Sequence, residues 1–170
     1  MKESKQQQIF DEWLKAHRAL LFKVIRSYAF NQDDQDDLFQ DVCLQIYHSI
    51  PNFRGNSAVT TWLYRIALNT AIKWSTKEQK YAYKHQELTY AEQVLVSHEN
   101  ESDERLKWLY EQIRSLNEVD RSLTLLLLEG YSYKEMAEML GISDSNLGVK
   151  IHRIKKQLTE NSRKFEAQGA

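Results

Sequence analysis

The sequence has little of what builds turn-rich or covalently crosslinked proteins. Its 170 residues include one proline, five glycines and one cysteine. So few glycines and prolines disfavour a β fold with many tight turns, and the lone Cys43 excludes an internal disulfide. No apolar run approaches the roughly 20 residues that cross a bilayer, and the basic start lacks the apolar core of a secretion signal. The sequence therefore predicts an all-α protein of the cytoplasm.

An excess of charge of one sign is absent as well. Lysine and arginine number 23 against 24 acidic residues, for a net charge of −1. Any surface for nucleic acid must therefore come from local segregation of basic residues. The five histidines show no metal-ligand spacing, Cys43 has no evident base partner, and no glycine-rich phosphate loop is present. We expect no metal, no cofactor and no catalytic site.

Apolar residues at helical spacing divide the N-terminal half into three predicted helices. Residues 9–28 carry the first stripe. The second helix follows the acidic stretch NQDDQDD, which favours a helix N-terminus, and it ends before Pro51. The connector NFRGNSAV leads to the third helix, for which Ser57 is a candidate N-cap. A core shared by these helices predicts a domain over residues 5–80.

Periodicity weakens over residues 81–103, which end in an acidic run and are predicted to be a linker. A second small helical domain is predicted over residues 104–165. The two helical domains and their linker together account for nearly the whole chain.

A helix-turn-helix unit is predicted within the second domain, where residues 129–158 read EGYSYKEMAEMLGISDSNLGVKIHRIKKQL. Ser132 and Glu135 match a capping box, and Gly141 permits the left-handed backbone that ends a helix. Ser143 is a second N-cap candidate. Two helices joined by a short glycine-containing turn form a helix-turn-helix.

The second helix of this unit is apolar on one side and basic on the other. Such a helix fits the DNA major groove, with its cations against phosphates and its first polar residues toward phosphates or base edges. The candidate contacts for duplex DNA are Ser143, Ser145, Asn146, Lys150, His152, Arg153 and Lys156. A helical hairpin with a solvated basic face has the same pattern, and this alternative stays open from the segment alone.

Four motifs closely resemble bacterial RNA polymerase sigma factors of the extracytoplasmic-function (ECF) class. They are D-L-F-Q-D-V at 37–42, F-R-G at 53–55, W-L-Y-R-I-A-L-N at 62–69 and Y-K-E-M-A at 133–137. The resemblance covers roughly residues 9–160. It implies an alternative sigma factor, not an enzyme, that binds core polymerase and directs promoter-specific initiation. The first domain is then expected to melt the −10 element, and the helix-turn-helix to read duplex DNA at the −35 element.

The resemblance also implies partners and contact residues. Asp37, Leu38, Gln40 and Asp41 are expected to dock on the clamp helices of the largest polymerase subunit, as suits a polar interface with an apolar element. Asn69 is expected at the edge of a loop that reads a flipped −10 base. The implied −10 contacts are Arg65, Asn69, Thr70, Ala71, Ile72 and Lys73. The resemblance further implies an anti-sigma protein, often membrane-bound, as a partner.

Three alternatives stay open from the sequence. A stand-alone helix-turn-helix regulator would leave the motifs at 37–42 and 62–69 unexplained. Trp74 fits base stacking and core packing about equally. Gly148 stands in the reading helix where relatives often carry basic or hydroxyl groups, either for close approach of the backbone to DNA or as tolerated drift, so a base preference at −35 cannot be carried over.

Overall fold

Seven α-helices and one 3₁₀ turn make up the regular structure of the residues that the computed structural model describes, 1–82 and 104–169, and these ranges contain no strand. The prediction of an all-α fold is confirmed. The helices are α1 (Glu3–Tyr28), α2 (Gln32–Ser49), α3 (Val59–Ala82), α4 (Glu104–Ser115), α5 (Glu118–Leu128), α6 (Tyr133–Leu140) and α7 (Asp144–Gln168).

The chain divides into two compact units, Met1–Asp103 and Glu104–Ala170. The predicted linker, 81–103, begins with two residues that belong to α3, and the rest of it lies outside the described residues. The predicted domain limits at 5–80 and 104–165 therefore stay predictions.

The first unit is a bundle of α1, α2 and α3 around one apolar core. Residues three or four apart on each helix face inward, which is the periodicity of an amphipathic helix. The fully or almost fully buried residues include Leu21, Val24, Ile25, Leu38, Val42, Ile46, Leu63, Ala67, Leu68 and Ala71.

The N-terminus of α2 is built as its acidic sequence predicts. Asn31 Oδ1 accepts a hydrogen bond from the Asp34 backbone N–H at 2.8 Å. Asp33 and Asp34 occupy the first turn, where their charge favours the positive end of the helix dipole. These two carboxylates are therefore explained by the helix itself.

An aromatic cluster fixes the connector between α2 and α3. The ring of Phe53 lies 5.2 Å from that of Trp13 and 5.4 Å from that of Trp62, and Trp62 Nε1 donates to Ser49 Oγ at 3.3 Å. The expectation that Ser57 caps α3 is wrong, because the helix begins two residues later and the Ser57 hydroxyl donates to the Ala58 carbonyl instead.

Arg121 joins α4 to α5 in the second unit. The residue is 5% exposed, and its guanidinium donates to the carbonyl oxygens of Ile113, Arg114 and Leu116 at 2.8–3.2 Å. These carbonyls lie at the end of α4, where the last carbonyls lack partners within the helix, although that of Ile113 also accepts from the Leu116 N–H at 3.2 Å. The buried arginine thus acts as the C-terminal cap of α4.

The helix-turn-helix forms as its capping pattern predicts. Ser132 Oγ accepts from the Glu135 N–H at 3.2 Å, and Glu135 Oε2 accepts from the Ser132 N–H at 2.7 Å. Gly141 follows α6 with φ of 67°, in the left-handed region. Ser143 stands at the N-cap position of α7, but its side chain makes no capping hydrogen bond.

The last turns of α7 pack against α4. The rings of Phe165 and Trp108 stack with centroids 5.4 Å apart, and Asn161 Nδ2 donates to Gln112 Oε1 at 2.7 Å. The helix that carries the predicted DNA contacts therefore also contacts α4, the first helix of its own unit.

Candidate nucleic-acid interface

α7 separates an inward apolar side from an outward polar side. Leu147, Ile151 and Ile154 are buried, as their four- and three-residue spacing predicts. The structure leaves six of the seven predicted contacts for duplex DNA exposed: Ser143, Ser145, Asn146, His152, Arg153 and Lys156. Their hydroxyls, amide and cations lie along the free side of one helix.

Lys150 is the exception among these seven residues. Its side chain is 23% exposed, and its Nζ lies 3.8 Å from Asp120 Oδ1 on α5. No spacing in the sequence predicts this pair, because its members are distant in the chain and meet only when α5 packs on α7. The cation already has an acidic neighbour within the fold.

Gly148 is not required by packing or by backbone strain. A Cβ built at this position would meet no described atom within 4 Å, and Gly148 is not among the residues with positive φ. Its neighbour Val149 is 66% exposed. The second turn of α7 thus has a position without a side chain next to an exposed apolar side chain.

The predicted docking residues of α2 do not all face outward. Asp37, Gln40 and Asp41 are exposed, whereas Leu38 is completely buried. Leu38 therefore cannot touch a partner as predicted, because it shares the inward side of α2 with Val42. The motif placed Leu38 beside the polar residues in sequence, but the helical repeat turns it to the core.

Leu44 is the exposed apolar residue that sequence reasoning missed on α2. Its side chain is 55% exposed, and the 3- and 4-residue spacing 37-40-44 sets it on one helix side with Asp37 and Gln40. The signal was in the sequence, since Leu44 falls outside the stripe formed by Leu38 and Val42.

The residues predicted to form a base-reading loop are helical instead. Residues 69–73 lie within α3, so the loop expectation is wrong. The apolar stripe through Ala67, Ala71 and Trp74 continues without a breaking residue, and the helix continues with it. Ala71 is fully buried and cannot touch a base.

The other predicted −10 contacts on α3 differ in their exposure to solvent. Arg65, Asn69 and Lys73 are exposed, while Thr70 and Ile72 are half-buried. The Thr70 hydroxyl donates to the Ile66 carbonyl at 2.7 Å, so it is already engaged. Three of the six predicted −10 contacts are therefore fully presented to solvent.

A groove between α2 and α3 is lined both by a predicted polymerase-docking residue and by predicted −10 contacts. Its volume is about 430 Å³, and it is lined by Asp41, Gln45, Ser49, Ile66, Asn69, Thr70, Lys73, Trp74 and Lys77. Trp74 is 9% exposed, so it forms part of the wall and the core, and its ring is not open for stacking. Neither Gln45 nor the groove itself was predicted.

Other kinds of site are not found in the described residues. Within 1–82 and 104–169, no group of histidine, cysteine or acidic side chains is placed to hold a metal ion. None of the helices in this part of the chain combines the length and apolarity needed to cross a membrane.

Two family models match the chain in the order of its two units. Sigma-70 region 2 matches residues 13–81 and Sigma-70 region 4 matches residues 106–158. An ECF RNA polymerase sigma-E factor of Haemophilus influenzae is 32% identical over 141 residues, covering 75% of this chain and 74% of that protein. The chain belongs to the ECF class of RNA polymerase sigma factors. It is therefore an alternative sigma factor for transcription initiation, and its two helical units are regions 2 and 4.

Further likenesses cover still more of this sigma factor. The RNA polymerase sigma factor YlaC of Bacillus subtilis is 28% identical, over 84% of this chain and 88% of its own. The sigma factor RpoE of Bartonella quintana, solved in complex with the anti-sigma factor NepR, has a TM-score of 0.70 at 20% identity, covering 90% and 96% of the two chains. This last likeness is one of fold.

The region 4 match stops before the end of α7. The helix continues for ten residues beyond position 158, through Asn161 and Phe165. These residues make the contacts with Gln112 and Trp108 described above. The α7 side of this brace on α4 thus lies beyond the residues that the family model matches.

Proposed function

We propose that this sigma factor docks on core RNA polymerase through α2, reads −35 duplex DNA with α7 and melts the −10 element with the α2–α3 side of region 2. The observation that carries the proposal is the segregation on α7. Six of seven predicted contacts are exposed on the side opposite the buried apolar stripe. A cationic helix side of this kind fits a major groove lined by phosphates.

Docking on the polymerase is proposed for the outward side of α2. Asp37 and Gln40 precede the exposed Leu44 on the same side of α2, and Asp41 lies at the edge toward α3. An apolar centre with polar groups around it is the common anatomy of a protein interface, and carboxylates select a basic partner surface. The clamp helices of the largest polymerase subunit are the proposed partner. Leu38 is buried in the core beneath this side of α2 and stabilises it.

Reading of the −35 element is proposed for the first two turns of α7. Ser143, Ser145 and Asn146 lie at its N-terminus, where hydroxyls and an amide meet phosphates or base edges. His152, Arg153 and Lys156 follow on the exposed side, at the positions suited to the flanking phosphates.

Melting of the −10 element is proposed for α3. Arg65, Asn69 and Lys73 are exposed on this helix. Opening a duplex costs a few kcal/mol per unstacked base, which a site for the extruded base offsets. The Asn69 amide both donates and accepts, so it is suited to a base edge.

An anti-sigma protein is proposed as a further partner. The Bartonella sigma factor of similar fold was solved with such a protein bound. We propose that this chain likewise acts in the cytoplasm, where polymerase works, and that it is held inactive there by a protein that covers its polymerase-binding surface.

Transcription in vitro tests the proposed function. Core polymerase is incubated with genomic DNA fragments with and without the chain, and start sites are mapped. New start sites that depend on the chain are expected. Asn69→Ala should reduce open-complex formation, measured by permanganate reactivity, and spare polymerase binding. A chain that binds core polymerase but directs no initiation would contradict the proposal.

A further inference from the structure

One exposed apolar residue lies in the middle of the polar side of α7. Val149 is 66% exposed, and among the described residues of α7 it is the only large apolar one that is exposed. It follows the buried Leu147 by two residues. Since each residue of an α-helix advances about 100° around the axis, the Val149 side chain points away from the core, nearly opposite to Leu147. Val149 was not among the contacts that the sequence predicted.

Polar side chains surround Val149 on this side of the helix. Ser145 and Asn146 lie one turn before it, and His152 and Arg153 lie one turn after it, at the three- and four-residue spacings of helical neighbours. All four are exposed, and all four belong to the surface proposed to face duplex DNA. Val149 is therefore at the centre of the surface that would enter the major groove.

We propose that Val149 reads the C5-methyl group of one thymine in the −35 element. The inference rests on the proposed function, because it requires α7 to lie in the major groove of −35 duplex DNA. Exposure alone would not assign this role, since single exposed apolar side chains are common on protein surfaces. The role follows from the position of Val149 among the proposed contacts, and it assigns a base preference to one position of the element.

The preference follows from what the bases present in the major groove. Thymine is the only one of the four that has a methyl group there, whereas guanine, adenine and cytosine present hydrogen-bond donors and acceptors. The valine side chain has neither donor nor acceptor, so a polar base atom buried against it would lose water without gaining a partner. A thymine methyl group instead leaves water together with the valine methyl groups, which is favourable.

The neighbouring Gly148 leaves room for this contact. A Cβ at position 148 would meet no described atom within 4 Å, so the space on that side of α7 is open. No side chain at position 148 can hold the duplex away from the helix or compete with Val149 for the same base. Close approach matters because an apolar contact requires carbon atoms within about 4–4.5 Å of each other.

Replacement of thymine by deoxyuridine tests the inference, because deoxyuridine lacks only the methyl group and keeps the hydrogen-bonding edge. The DNA upstream of a mapped start site is randomised over the −35 region, and sequences that bind the holoenzyme of core polymerase and the full chain are selected. Each thymine of the selected region, on either strand, is then replaced singly, and the dissociation constant is measured by fluorescence anisotropy. One replacement should weaken binding about threefold, as expected for the loss of one buried methyl group.

Matched variants show whether Val149 is responsible. Val149→Ala truncates an exposed side chain, so it should fold as the wild type does, and its ratio of dissociation constants for the deoxyuridine and thymine duplexes should fall to near one. Val119→Ala shortens an exposed valine of α5 and should keep the threefold ratio. A selected site at which no replacement weakens binding, or a threefold loss that persists in Val149→Ala, would overturn the inference.

The selection and the initiation assay separate this inference from the proposed function. Chain-dependent start sites and an enriched −35 sequence, together with binding that is insensitive to deoxyuridine, would refute the role of Val149 and leave the sigma role intact. If the holoenzyme enriched no upstream sequence at all, reading of the −35 element by α7 would be refuted, and the role of Val149 with it.

Discussion

Lys150 Nζ lies 3.8 Å from Asp120 Oδ1, so α7 is tied to the first turn of α5. The other oxygen of this carboxylate accepts from Asn117 Nδ2 at 2.9 Å. Oδ1 itself is buried and accepts no hydrogen bond from the described residues. The ammonium group is therefore the counter-charge of a shielded carboxylate, whereas Arg153 is exposed.

The salt dependence of duplex binding should tell the two cations apart. Arg153→Ala is expected to lower the slope of log affinity against log salt by about one, because one phosphate contact is lost. Lys150→Met should leave this slope unchanged and lower the free energy of unfolding by about 1 kcal/mol, since a partly buried carboxylate loses its partner. Titrations of duplex DNA at several salt concentrations and urea denaturation measure both. An equal loss of slope in the two variants would place Lys150 on DNA.

Leu38 and Leu44 should separate folding from docking. Leu38→Ala removes a fully buried side chain and is expected to cost about 2–5 kcal/mol of folding stability. Leu44→Ala removes a side chain that is already 55% exposed, so stability should change by less than about 0.5 kcal/mol. Affinity for core polymerase should nevertheless fall several-fold, since an apolar interface centre is lost.

Denaturation and surface plasmon resonance with immobilised core polymerase provide the two readouts for these leucines. Val149→Ala, a truncation of another exposed apolar side chain in the other unit, serves as the control. Full polymerase affinity in Leu44→Ala would remove this residue from the docking surface.

The Phe165–Trp108 stack should hold α4 in place. Phe165→Ala is expected to weaken the local structure by about 1 kcal/mol, because a ring pair and its buried area are lost. Hydrogen exchange of α4 amides, measured by mass spectrometry, should become about fivefold faster. Lys164→Ala, an exposed neighbour, should leave it unchanged. If α4 exchanged at the wild-type rate in Phe165→Ala, the brace would have no role in holding that helix.

Acid should weaken the capping box of α6. The hydrogen bond from the Ser132 backbone, and then the one with its side chain, lower the pKa of Glu135. A lowered folded pKa means that the ionised carboxylate stabilises the fold above its unfolded pKa, about 4.3. This contribution is lost as pH falls through the folded pKa. Glu135→Gln cannot titrate, so the wild type should lose its advantage in melting temperature below about pH 4. A constant difference from pH 7 to pH 3 would contradict this origin of the shift.

The sequence predicted local features well because their causes are local. The capping box of Ser132 and Glu135, the left-handed Gly141 and the acidic first turn of α2 each depend on residues within one helical turn. The family motifs fall on α2, α3 and α6, and the first two of these helices carry the proposed polymerase and −10 contacts.

Features that depend on packing between helices were missed. The motif grouped Leu38 with its polar neighbours, although Leu38 belongs to the same apolar stripe as Val42. The loop expected at Asn69–Ile72 came from the resemblance and not from the residues, which continue a helical stripe. The groove and the Lys150–Asp120 pair follow from how two helices pack, which no local spacing encodes.

Gly148 leaves the surface of α7 open to substitution. Neither a neighbouring atom nor the backbone angle demands glycine there, and the adjoining Val149 is open to solvent. Side chains introduced at these two positions would alter what the helix offers to DNA without disturbing the bundle beneath it. Under the proposed reading of −35 DNA by α7, promoter choice would drift in evolution, or be reprogrammed to give mutually insulated transcription systems, through changes at two adjacent codons.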